Sequence, residues 1–138
     1  MSTVSHLFDW SRTPKFLERW GKSFDVASMN GSNNFQLVFS SYCPSSIGDC
    51  LNSNGSLNSN VTLTKVSDCG LKWQDDVIKL SADVTWSIGD DIVPLKAVFL
   101  RDKNSGFVLG YSINNTPFEI TNQLKLNKDL IFWSIING

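Results

Sequence analysis

The sequence predicts a mainly β protein: an antiparallel β-sandwich, Ig-like or jelly-roll-like, with one short N-terminal helix. Three observations carry that expectation. Two apolar runs, Leu95–Leu100 and Phe107–Ile113, flank the polar Arg101–Gly106 stretch, whose Asn104, Ser105 and Gly106 are turn formers. Residues Val77–Trp86 alternate, with Ile78, Leu80, Ala82, Val84 and Trp86 opposite Lys79, Ser81, Asp83 and Thr85. That is the pattern of a half-buried antiparallel strand. Turn formers then recur throughout the second half, and about seven to nine short strands with one helix indicate a β-sandwich or a small barrel, not an α/β fold.

At 138 residues the chain fits one domain with a core of its own. Residues 1–30 read as an N-terminal arm, and 31–138 as the sandwich domain. In the arm, Thr13 suits a helix N-cap, Pro14 the first helical position and Gly21 the stop. Phe16, Leu17 and Trp20 would share one stripe of that helix, and Leu7, Phe8 and Trp10 precede it. A lone short helix is marginal in water, so these aromatics need a surface to lie on. That surface is either the open end of the chain's own sheet or a neighbouring subunit.

Phe35–Phe39 reads as the first strand of the body. A long polar loop at about 40–60 follows, rich in Ser and Asn, and a solvated loop is its simplest reading. Strands are then expected at Val61–Val66, Leu71–Trp73 and Val77–Trp86. Gly89-Asp90-Asp91 and Asn114–Pro117 read as turns on either side of the central hairpin. Phe118–Thr121, Gln123–Leu126 and Leu130–Ile136 complete the set, the last two joined by Asn127-Lys128-Asp129. Val84, Trp86, Val98, Phe99, Leu109 and Tyr111 are the expected core. The last strand is apolar on both faces, a liability unless paired or covered. Trp133 alternates with Phe132 there, so one of the two rings points away from the core unless both faces are covered, the second by another subunit.

Composition narrows the function. Twelve basic residues against thirteen acidic give a net charge of −1, without the basic footprint of a nucleic-acid binder. No apolar stretch approaches the length of a membrane span. The start, MSTVSHLFDW, has neither the basic nor the apolar region of a signal peptide, so the product is expected to be made in a cytoplasm.

Catalytic groups are scarce. His6 is the single histidine and sits in a loose terminus, which argues against Ser–His–Asp and Cys–His chemistry. Asp75-Asp76 and Asp90-Asp91 lie beside expected turns, where Asp is common for backbone reasons, and lack the spacing of a calcium loop. Cys43, Cys50 and Cys69 include no C-x-x-C pair, so zinc is a poor reading. Free thiols are expected, with a Cys43–Cys50 bridge possible on oxidation. Neither enzyme activity nor a cofactor or metal is expected.

The phrases Ile92–Asp102, Ser105–Tyr111 and Phe118–Thr121 together resemble the C-terminal half of small tailed-bacteriophage structural proteins. The resemblance runs from about Asp75 to the C-terminus. It implies a virion component with a β-sandwich body, made in the host cytoplasm. The first expectation is a capsid decoration or auxiliary protein that binds and reinforces the assembled shell. Its partners would be capsid or other virion proteins and further copies of itself, with no nucleic acid or membrane. Leu7, Phe8, Trp10, Phe16, Leu17, Trp20 and Trp133 are the candidate partner-binding residues. The alternative is a carbohydrate- or receptor-binding module of a fibre or tail, with the Tyr42–Asn60 loop and an exposed Trp facing the ligand.

Overall fold

The computed structural model describes residues 10–13, 32–74 and 77–134. These residues form seven strands: β1 Ser11–Arg12, β2 Ser32–Ser40, β3 Lys65–Gln74, β4 Val77–Leu80, β5 Val84–Asp102, β6 Val108–Leu126 and β7 Ile131–Ser134. They make one antiparallel sheet in the order β1-β6-β5-β2-β3-β4-β7. The chain is therefore mainly β and antiparallel, as its patterning predicts.

One long ribbon organises the sheet. β5 and β6 are 19 residues each and pair from Val84↔Leu126 to Arg101↔Val108. Beyond Val84 the ribbon turns a corner through Ser81–Asp83 and Asn127–Leu130 and continues as β4 with β7. Two backbone bonds hold that corner: Leu80 N–H to the Leu130 carbonyl (2.8 Å) and Asp129 N–H to the Leu80 carbonyl (2.9 Å). The β2–β3 pair then joins the ribbon's two ends, because β2 lies on Ala97–Asp102 and β3 lies on β4. A ribbon bridged at both ends must curl. Its concave side holds Leu37, Phe39, Leu71, Ile78, Leu80 and Leu124, all at most 1% exposed. Trp86 comes over the top to meet Phe39, ring centroids 5.5 Å apart.

Several expected turns are bends within strands. Gly89 pairs with Asn122, and both have positive φ, 82° and 63°. Two turn formers facing each other across a ladder make a paired irregularity, which bends the ribbon without ending it. Asn114–Pro117 also lies inside β6, opposite Lys96, because the ladder resumes at Leu95↔Phe118 after Ala97↔Ile113. This bulge accommodates Pro117, which has no N–H to donate to a ladder. It also shifts the alternation of β5, so that Leu95 and Val98 both face inward. The single strand expected over Val77–Trp86 breaks at the corner, where Ala82 is exposed. Ile78, Leu80, Val84 and Trp86 nevertheless keep the inner face. Of the expected core only Tyr111 is half-buried.

The other face of the sheet is covered as well. Val38, Ala97, Phe99 and Val108 point outward from β2, β5 and β6, where Cys43, Cys50 and Val61 pack on them. Those three residues belong to Ser41–Thr64, the segment between β2 and β3. The solvated-loop reading of 40–60 is therefore corrected: the segment is a packed cover with a small core of its own. The strand expected at Val61 begins only at Lys65, because Val61 turns into that core.

The expected helix over Thr13–Gly21 lies outside the described residues apart from Thr13. Thr13 is tied to the sheet. Its Oγ1 donates to the Val108 carbonyl and its N–H to the Leu109 carbonyl at 2.9 Å, which extends β1 along β6.

Candidate functional site

Of the candidate partner-binding side chains only Trp10 is described. Leu7, Phe8, Phe16, Leu17 and Trp20 lie outside the described residues, as does the side chain of Trp133. Trp10 precedes β1 at one edge of the sheet, yet its ring meets Phe132 of β7 at the other edge, centroids 4.7 Å apart and planes at 74°. Edge-to-face contact is a favoured aromatic geometry. The two edges of the curled sheet are thus clasped by one aromatic pair, with Phe132 5% exposed. Trp10 therefore has a place on its own chain's core. Trp10 and Phe132 thus mark one pole of the body.

The cover is the second candidate region, and several of its polar side chains are engaged within it. Asn52-Ser53-Asn54-Gly55 makes a turn closed by Gly55 N–H to the Asn52 carbonyl (3.0 Å), with Gly55 at φ 97°. Asn54 Oδ1 accepts from the N–H and hydroxyl of Ser56 (3.0 and 2.7 Å). Asn58 Nδ2 and Asn60 Nδ2 both donate to the Asp49 carbonyl (2.9 and 3.2 Å), and Asn58 Oδ1 accepts from Asn60 N–H (2.8 Å). Short amide and hydroxyl side chains compete well for nearby backbone groups, which lets a segment without a ladder satisfy its polar atoms. Tyr42, 70% exposed, and Leu63, 52% exposed, flank the cover where Thr62 N–H donates to the Tyr42 carbonyl (2.9 Å).

Charge is laid across the outer face in one row. Arg101 Nε donates to Gln36 Oε1 (3.0 Å), Gln36 Nε2 to Asp68 Oδ1 (2.9 Å), and Lys103 Nζ to Asp68 Oδ2 (2.6 Å). Register explains it, since Arg101, Gln36 and Asp68 are direct cross-strand neighbours. The Lys103 bond holds the Asp68 carboxyl below the usual carboxylate range, and burial lowers the Arg101 guanidinium. Sequence reasoning missed this row because it follows from the β5-β2-β3 pairing, which one strand's pattern does not reveal.

Cys43 and Cys50 are both buried in the core of the cover, in one apolar cluster. Burial raises both, and Cys50 is pushed up to about 12. Cys69 lies across the sheet in the inner core and is also pushed up to about 12 by burial. All three are free thiols. Among the described residues no group of three or more His, Cys, Asp or Glu could hold a metal ion. Asp90 and Asp91 are exposed on β5, and Asp75-Asp76 is outside the described residues. No described helix is long and apolar enough to cross a membrane.

Compared with known proteins, the chain matches no family model, no curated protein and no solved structure.

Proposed function

We propose that the protein is a structural component of a tailed-bacteriophage virion: a capsid decoration or auxiliary protein that binds and reinforces the assembled shell. Binding, not catalysis, is its work. We read its curled sheet as the body of a sandwich-type domain, with the distal half of the β5–β6 ribbon as the second layer over β2 and β3.

The observation that supports this reading is the Trp10–Phe132 clasp. Leu7 and Phe8 are within three residues of Trp10 in sequence, and a fully extended chain spans about 3.6 Å per residue. They are therefore tethered within about 11 Å of the pole where β7 carries Trp133. Apolar residues concentrated at one pole of a body with its own core suit attachment to a neighbouring subunit. A protein that binds the assembled shell and not its free subunits stabilises the shell by mass action.

Mass spectrometry and electron microscopy of particles from the source test the reading. The protein should be present at a regular copy number. A Leu7→Ser/Phe8→Ser variant, which leaves Trp10 and β1 intact, should load at least about tenfold less. Absence from particles, or equal loading of the variant, overturns it.

The carbohydrate- or receptor-binding alternative draws on Tyr42, whose ring is exposed beside the cover. Against it, the Nδ2 groups of Asn52, Asn58 and Asn60 all donate within the cover. A glycan-array screen separates the two readings.

A further inference from the structure

We propose that Cys43 and Cys50 are a preformed dithiol that closes to a disulfide when the protein meets an oxidant, stapling the cover onto the outer face of the sheet.

The geometry of the cover carries this. The two thiols are seven positions apart, and the chain between them is folded to bring them together. Asp49 N–H donates to the Ser46 carbonyl (3.1 Å) and Cys50 N–H to the Ile47 carbonyl (3.0 Å), which makes a 3-10 turn at Ile47–Asp49. That turn brings Cys50 back toward Cys43: its Sγ lies 3.4 Å from the carbonyl of Pro44, the residue after Cys43, and both side chains are buried in one apolar cluster at 0% and 3% exposure. Cys50 Sγ also lies 3.4 Å from the Ser46 carbonyl oxygen, and the two carbonyls share its one proton. These weak bonds belong to irregular backbone, which can adjust to bring two sulfurs into bonding distance more readily than a ladder can. Cys69 is no competitor. It faces the inner core from β3, with the sheet between it and the pair.

The chemistry balances with a low-molecular-weight disulfide as oxidant. A thiolate of the pair attacks the reagent's S–S bond, forming a mixed disulfide and expelling one thiolate, which takes up the proton lost by the first thiol. The second thiol attacks that mixed disulfide, loses its own proton and expels the other reagent thiol. Two S–H bonds become one S–S bond, and the reagent is reduced to two thiols. Burial keeps both cysteines protonated at neutral pH and shields them from the reagent, so attack requires the cover to open. Closure is therefore slow, and a reducing cytoplasm keeps the pair open. The staple does not depend on what the protein binds.

The test uses the full chain, incubated with oxidised glutathione and then alkylated and digested. No Lys or Arg lies between Lys22 and Lys65, so trypsin leaves Cys43 and Cys50 in one peptide and Cys69 in another. The first peptide should lose about 2 Da and resist alkylation, while the Cys69 peptide stays alkylated. Cys69→Ser should close as the natural chain does, and Cys43→Ala should not. Hydrogen exchange across residues 43–61 should slow by about tenfold or more on closure. Persistent glutathione adducts on either cysteine, disulfide-linked dimers, a bridge to Cys69, or no change in mass each overturn the proposal.

Discussion

The β5–β6 ribbon and the Ser41–Thr64 cover solve the same problem, satisfying backbone polar groups against an apolar surface, by opposite means. The ribbon uses a backbone ladder with strong apolar alternation, and its side chains are free to build the main core. The cover has two isolated bridges, Leu51↔Leu57 and Ser56↔Phe107, and combines local backbone turns with side-chain amide bonds to the backbone in place of a ladder. Its apolar content is small: two thiols, Val61 and a few half-buried aliphatics. The difference implies a hierarchy of stability. Losing the ribbon's packing unfolds the whole body, whereas losing a bond in the cover opens the cover.

The largest expected effect is on the ribbon. Trp86 closes its distal half onto Phe39 of β2, so Trp86→Ala should cost about 3–5 kcal/mol in chemical denaturation. A loss below about 1 kcal/mol would mean that the distal half does not close the core.

In the cover, Asn58→Ala removes a donor to the Asp49 carbonyl and an acceptor for Asn60 N–H. Cover amides should lose about 1–2 kcal/mol of protection against exchange, with the global transition moving far less. An equal loss in both would merge the two regions into one cooperative unit.

The smallest effect is pH dependence, and it belongs to the ribbon's corner and the outer row. Asp83 accepts from Lys128 N–H (2.6 Å), Asp129 pairs with Lys72, and Asp68 pairs with Lys103. These bonds hold all three carboxyls below their ordinary value of 3.8. Each is protonated in the unfolded chain before it is in the folded one. Their contribution is therefore complete above about pH 5 and fades as pH falls through the depressed values. The groups are solvent-exposed, so the fall should be shallow. Asp83→Asn should flatten it further, and an acid limb unchanged in that variant would remove the corner from the account.

Much of the ribbon was legible in the sequence. The apolar runs at Leu95–Leu100 and Phe107–Ile113 and the alternation through Trp86 are period-2 signals that pairing preserves. The bends were not legible, because Gly89 with Asn122 and Lys96 with Asn114–Pro117 become irregularities only once the facing strand is known. Read singly they look like turns. The cover was misjudged for a different reason. Ser and Asn give the same compositional signal whether they bond to water or to their own backbone, and only the geometry at Asp49, Asn58 and Asn60 distinguishes the two. Of the candidate binding residues, the aromatic density before β1 was legible, but the meeting of Trp10 with Phe132 depended on the closure of the sheet.

Native-state hydrogen exchange under increasing denaturant tests the hierarchy most directly. Amides of β5 where it lies between β6 and β2, such as Phe99 and Leu100, should exchange only through global unfolding, with the full denaturant dependence. Cys50, Asn58 and Val61, bonded within the cover, should exchange through a smaller opening at lower free energy and with little denaturant dependence. If both sets converge on one free energy and one slope at every denaturant concentration, the cover is not a separate unit and the account is contradicted.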